Sequence, residues 1–210
     1  SDVYKRQIAI CGLIIGIVIG TLIATVRVIP KYKTLPKVLN HICSFYVALF
    51  RGTPMVVQLL VFYYVLLPII GVHITGVQVA MVVFGLNSGA YISEIMRSGI
   101  QSVDSGQLEA GRAVGLSFGV TMVKIVIPQA VKNILPTLGN EFISLIKETS
   151  VVSFVGAADL YVAFSYIGSN SYEFMVPYLV MAMIYIVLVL IISLLIKLLE
   201  RSLNRSDRRN

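Results

Sequence analysis

From Ile8 to Ile29 the chain carries a single charged residue, Arg27, and from Phe174 to Leu199 a single one again, Lys197. At a rise of about 1.5 Å per residue, a helix of that length crosses a hydrocarbon layer of about 30 Å. Such segments satisfy every backbone polar group internally and need no water. They commit the chain to a bilayer and to helices. The remaining composition agrees, since 57% of the 210 residues are hydrophobic and only 13% are charged. The chain is therefore expected to be an all-α integral membrane protein of about five transmembrane helices.

The expected spans are 8–29, 54–68, 77–100, 130–156 and 174–199, forming a single transmembrane domain over 8–210. Residues 1–7 break abruptly into Ile8-Ala9-Ile10 without the order of a signal peptide, and read as a truncation scar. Gly12, Gly16, Gly20 and Ala24 recur every four residues along the first span, a ridge on which a second helix can pack closely. Pro30 ends that span. A mixed helix then leads to Phe50 and the Arg51-Gly52-Thr53-Pro54 break. Residues 157–173 read as a loop whose Tyr161, Phe164, Tyr166 and Tyr172 form an interfacial belt.

The net charge of +7 is spread over the ends of the apolar runs rather than gathered on a polar face, which excludes a nucleic-acid surface. Arg27, Lys31, Lys33, Lys37 and Arg51 flank the first connection; Arg97, Arg112, Lys124 and Lys132 flank the third. Lys197, Arg201, Arg205, Arg208 and Arg209 follow the last span, whereas 68–76 and 157–173 have no Lys or Arg. The bias puts the basic connections and the C-terminus in the cytoplasm and the N-terminus outside. Cys11 and Cys43 lack metal or disulfide spacing. His41 and His73 lack a second ligand nearby, so no metal is expected. No nucleophile triad or phosphate-binding glycine loop occurs, so the chain is expected to be non-catalytic. No internal repeat is visible.

The connection 101–128 carries the most specific signal. Asp104-Ser105-Gly106-Gln107 offers an acidic N-cap with Gln at the third helical position. Within the short helix that follows, Ala110, Gly111, Ala113 and Gly115 are nearly free of side chain. That weakens the helix and suits it to a groove on a partner. Glu109-Ala110-Gly111, three residues, Gly115, nine residues, then Ile125-Val126-Ile127-Pro128 resembles the EAA motif of ABC-importer permeases. Its usual form is Glu-Ala-Ala, three residues, Gly, nine residues, Ile-x-Leu-Pro; Gly111 and Ile127 depart from it. Arg51-Gly52-Thr53-Pro54, Asn87-Ser88-Gly89-Ala90-Tyr91 with Glu94, and Pro136 through Asn140-Glu141-Phe142 to Lys147-Glu148-Thr149-Ser150 look like the polar amino acid branch of that family, whose permeases serve substrates such as histidine, glutamine, arginine or cystine.

The resemblance implies a type I ABC importer permease fold in a bacterial plasma membrane. It implies a coupling helix, bearing Asp104, Glu109, Ala110, Gly111 and Gly115, that docks into a separate cytoplasmic ATPase. It also implies a second permease copy or related permease, an ATPase dimer and an extracytoplasmic amino acid-binding protein. The permease itself would hold no cofactor, ATP and magnesium being bound by the ATPase.

Two polar stripes cross the apolar spans. Asn87, Tyr91, Glu94 and Ser98 share one face of the third, with Ser88 beside them. Thr137, Glu141, Ser144 and Glu148 share a face of the fourth, flanked by Asn140 and Lys147 and followed by Thr149. Ionisable groups in a span need a cavity or a partner. Two readings stand: the stripes line a substrate route offering both charge signs to a zwitterion, or Glu94 pairs with Arg97, Lys147 with a glutamate, and Asn87 joins helices. Gln58 admits the same alternatives. A rival of another class, a carrier or channel for small polar or cationic solutes that works without an ATPase, would use the same carboxylates as cation sites and would need no docking helix.

Overall fold

The computed structural model describes residues 2–29, 34–157 and 160–207, and the described residues are helical almost throughout. Pro30, Lys31, Lys33, Arg208 and Arg209 lie outside them. In chain order the helices are α1 (Asp2–Val28), α2 (Thr34–Gly52), α3 (Met55–Ile69), α4 (Gly76–Gln101), α5 (Ser105–Ala113), α6 (Phe118–Val155), α7 (Leu160–Ser171) and α8 (Met175–Asp207). Four of them, α1, α4, α6 and α8, are each long and apolar enough to cross a membrane, and α2 with α3 passes the same test only as a pair bent by 107°, the form of a broken span or of a re-entrant loop.

The segment 54–68, expected as a span, falls on α3 and its N-cap Pro54, the second limb of that bent pair. The reason for the bend lies in the covalent chemistry of the corner. Pro54 has no N–H to give the carbonyl four residues back and its ring clashes with that turn, so α2 stops at Gly52 and α3 restarts at Met55. Pro68 and Pro128 are met differently. Each follows a wider π turn, Phe62–Leu66 and Met122–Val126, in which Leu67 and Ile127 donate to the carbonyls of Phe62 and Met122. The extra residue per turn lets each helix absorb its proline without stopping.

The centre of the bundle is α1 lying along α4. Gly12, Gly16 and Gly20 face Phe84, Ser88 and Ile92, while Gly85 and Gly89 of α4 face Ile15 and Ile19. The ridge read from the sequence is thus answered by a second one, offset so that each glycine receives a side chain from the other helix. Leu59 on α3, Phe84 on α4 and Leu145 on α6 close the core around this pair. Helix α8 keeps most of its apolar surface outward and meets α6 where Ile196 covers Gly139.

The fourth span begins at Phe118 instead of 130, capped by the Ser117 hydroxyl, which accepts from the Val120 amide at 3.4 Å. The segment 157–173, expected to be a loop, contains α7. Its turn-forming residues sit only at its end. Upstream, Tyr161 stacks on Tyr178 and the buried Gly168 lies against Phe174, so docking on α8 supports the helix. Asp159, expected in that loop, lies outside the described residues.

Candidate coupling helix and polar core

Helix α5 follows the end of α4 and is defined at both ends by its own residues. The Asp104 carboxylate accepts from the Gly106 amide at 2.7 Å, the N-cap expected from the sequence. The Gln107 side chain does not complete a capping box; it accepts from Gln129 on α6 at 3.3 Å. At the other end Gly115 takes φ +89°. Its N–H donates to the Arg112 carbonyl at 3.0 Å and the Leu116 N–H to the Gly111 carbonyl at 3.1 Å, the paired bonds of a Schellman turn. Only glycine enters that conformation at little cost.

The missing side chains of α5 therefore divide into two sets. Gly111 is buried, and a methyl group there would collide with Thr121 at the start of α6, so this glycine serves the chain's own packing. Gly115 serves the turn. Glu109, Ala110 and Ala113 are exposed on one face of the helix. Just before α5, the Asn133 amide donates to the Ser102 hydroxyl at 2.8 Å, tying the end of α4 to α6.

Gln58 and Asn87 meet at the α2–α3 corner. Both are buried. The Gln58 Nε2 donates to the Phe50 carbonyl at 2.7 Å, the Thr53 carbonyl at 2.9 Å and the Thr53 hydroxyl at 2.8 Å. Asn87 Nδ2 donates to Gln58 Oε1 at 3.0 Å and to the Phe50 carbonyl at 3.2 Å. Nearby, the Tyr46 hydroxyl donates to the Leu86 carbonyl and the Arg51 guanidinium lies 5.2 Å from the centre of the Tyr91 ring. Helix α2 is thus fastened to α4 at three successive levels.

Glu94 lies towards the end of α4 that leads to α5, bound by two arginines. Arg97 reaches Oε2 through Nε at 3.0 Å and Nη2 at 2.8 Å, and Arg27 of α1 binds Oε1. The i, i+3 pair was legible in the sequence. Arg27 was not, because it is brought in only by the packing of α1 on α4.

On α6 the stripe is split. Ser88 is fully buried on α4, close to the Glu141 carboxylate but outside hydrogen-bonding geometry with it. Glu141 and Ser144 are half-buried; Asn140, Lys147 and Glu148 are exposed. Thr149 is fully buried and donates to the Ile146 carbonyl at 2.7 Å. Lys147 and Ser150 border a shallow apolar groove with Tyr185 of α8. The structure therefore brings Ser88 and Glu141 together, commits Gln58, Asn87 and Glu94 to partners within the chain, and leaves Asn140, Lys147 and Glu148 displayed. His41 is occupied locally, its Nδ1 being 2.8 Å from the Lys37 carbonyl. Among the described residues no cluster of His, Cys, Asp or Glu has metal-binding geometry.

Residues 12–205 match the family described as the binding-protein-dependent transport system inner membrane component. A Rickettsia bellii protein named for a glutamine transport system permease is 38% identical over 177 residues, covering 84% of this chain and 79% of that protein. The arginine transport system permease protein of Bacillus subtilis is 38% identical over 177 residues, 84% of this chain and 77% of that one. The crystal structure of an amino acid ABC transporter with histidines superposes with a TM-score of 0.87 at 38% identity, covering 95% of this chain and 91% of that chain. The MetNI methionine ABC transporter in an inward-facing conformation shares the fold, with a TM-score of 0.78 at 21% identity and coverage of 95% and 93%.

Proposed function

Because the chain belongs to the family of binding-protein-dependent transport system inner membrane components, we propose that it is the membrane permease of an ATP-driven importer for a polar amino acid. The relatives named for glutamine, arginine and cystine transport set that substrate class. A cytoplasmic ATPase dimer supplies the energy, an extracytoplasmic binding protein delivers the amino acid, and a second copy or related permease completes the pore. In the bacterial inner membrane the N-terminus lies outside and the basic C-terminus faces the cytoplasm.

The observation that carries this reading is α5. A short helix seated by one face on the start of α6, capped at both ends by its own chain and showing a small-residue face beside Glu109, is a rigid plug for a groove on another protein. Its N-terminal end continues directly from α4, so force applied to α5 enters the bundle there. Glu141 with Ser88, and the exposed Asn140, Lys147 and Glu148, offer acceptors for an ammonium and a donor for a carboxylate along the route. Alternating access around them would carry the zwitterion across.

Ala110→Trp tests the coupling role without touching the polar core. The account expects ATP-driven uptake to fall to background while the permease still inserts and resists heat as the native chain does. Undiminished uptake in that variant would sink the reading of α5 as the docking element.

A further inference from the structure

In an unbroken helix the Phe50 carbonyl would accept from the N–H of residue 54, but that residue is Pro54. At the corner the same carbonyl accepts two side-chain amides instead: Gln58 from α3 at 2.7 Å and Asn87 from α4 at 3.2 Å. Gln58 also closes on both oxygens of Thr53, and Asn87 closes on Gln58. Both side chains are buried, with relative exposures of 7% and 5%. The Phe50 carbonyl that Pro54 leaves without its helical donor, and both oxygens of Thr53, are thus met by two carboxamides that also bind each other, one from α3 and one from α4.

We propose that Gln58 and Asn87 are positioning residues for transport, which lock the α2–α3 corner to α4 so that displacement of α5 reaches the bent pair through α4. Helix α4 is suited to this task. It runs into α5 through Ser102, Val103 and Asp104, and it is braced along α1 by interleaved glycines. Without the two amides, the buried Phe50 carbonyl would lose both its donors and the half-buried Thr53 carbonyl its own, and α2 and α3 could shift against α4. The corner would then answer an ATPase stroke incompletely. The proposal rests on the importer reading given above.

The test uses the complete assembly of permease, ATPase and binding protein in proteoliposomes, with Gln58→Met and Asn87→Leu. Each substitution is expected to lower the maximal uptake rate about tenfold, the size of effect that one lost buried hydrogen-bond partner has on a coupled equilibrium. The half-saturating amino acid concentration should stay unchanged and the ATP hydrolysed per molecule imported should rise. The double variant should fall no further than either single one, because one unit is broken in each case. Gln58→Asn combined with Asn87→Gln, which moves a methylene across the pair and keeps both carboxamides, should recover uptake relative to the singles. A raised half-saturating concentration at full maximal rate, fully additive losses, or an exchanged pair no better than its singles would overturn the proposal.

Should the native assembly import no amino acid, the importer reading fails first. The clamp is then judged by spin labels on the exposed Phe45 of α2 and Val65 of α3. Gln58→Asn should broaden their distance distribution and the exchanged pair should narrow it. An unchanged distribution in Gln58→Asn would overturn the clamp on its own.

Discussion

The interleaving of α1 with α4 makes a graded prediction from glycine to alanine. A Cβ at Gly85 would lie 2.5 Å from Ile15 Cγ2 and 2.7 Å from Ile15 Cβ; the Cβ cannot swing aside, so the helices must part by about 1 Å to restore ordinary contact. At Gly12 the nearest atom, Phe84 Cβ, would be 3.1 Å away, which a shift of a few tenths of an ångström relieves. At Gly119, in the first turn of α6, nothing lies within 4 Å. Alanine gains about 0.5–1 kcal/mol in helix propensity, and overpacking a close contact costs about 1–3 kcal/mol. The net should be a loss of about 1–2 kcal/mol at Gly85, near zero at Gly12, and a gain of about 0.5 kcal/mol at Gly119. For a chain of this size 1 kcal/mol moves Tm by about 2–4 °C. Thermal unfolding of the three purified variants in one detergent should therefore order them Gly119→Ala above native, Gly12→Ala at native, and Gly85→Ala lower by about 2–8 °C. A Gly85→Ala variant as stable as Gly119→Ala would refute the close approach of the two helices.

Other substitutions test other parts of the structure. Glu94→Gln leaves Arg27 and Arg97 without their shared carboxylate in a half-buried site, and a loss of roughly 3 kcal/mol is expected in thermal or denaturant unfolding; an unchanged midpoint would contradict the network. Asp104→Ala removes the cap of α5 and should weaken that helix by about 1 kcal/mol, seen as faster amide exchange over 105–108 with the spans unaffected. Gly115→Ala places a Cβ at φ +89° at a cost of about 1–2 kcal/mol; since open space surrounds it, Gly115→Asn should be milder, and equal losses for both would argue against a purely backbone role.

The spans and α5 could be read from the residues because their causes are local. An uninterrupted apolar run suffices for α1 and α8, and Asp104 marks the start of α5, whereas Gly115, read as part of that helix, lies in the turn that ends it. The break at Pro54 was equally visible, but its angle depends on what receives the Phe50 carbonyl, and Asn87 does so from 37 residues away. Distance along the chain also hid the Arg27 partner of Glu94, 67 residues off. Helix α7 was obscured for a different reason: Gly168-Ser169-Asn170-Ser171 are turn formers, and it is Phe174, just before α8, and Tyr178 on α8 that hold the segment helical. The small residues of α5 carried a third ambiguity, since a pattern of Ala and Gly does not say which side chain is missing for a partner and which for the chain's own packing. Gly111 against Thr121 resolves one of them inward. At the polar stripes, the i, i+4, i+7 spacing placed Asn87 and Glu94 on one face correctly, yet whether that face meets a cavity or a neighbouring helix is a tertiary fact.

The most direct test of the importer account is uptake of labelled polar amino acids by proteoliposomes holding this permease, alone and then with its ATPase and binding protein, each with and without ATP. The account predicts accumulation of an amino acid only in the complete assembly and only with ATP. Flux through the permease alone, independent of ATP, would contradict it and identify a self-sufficient carrier.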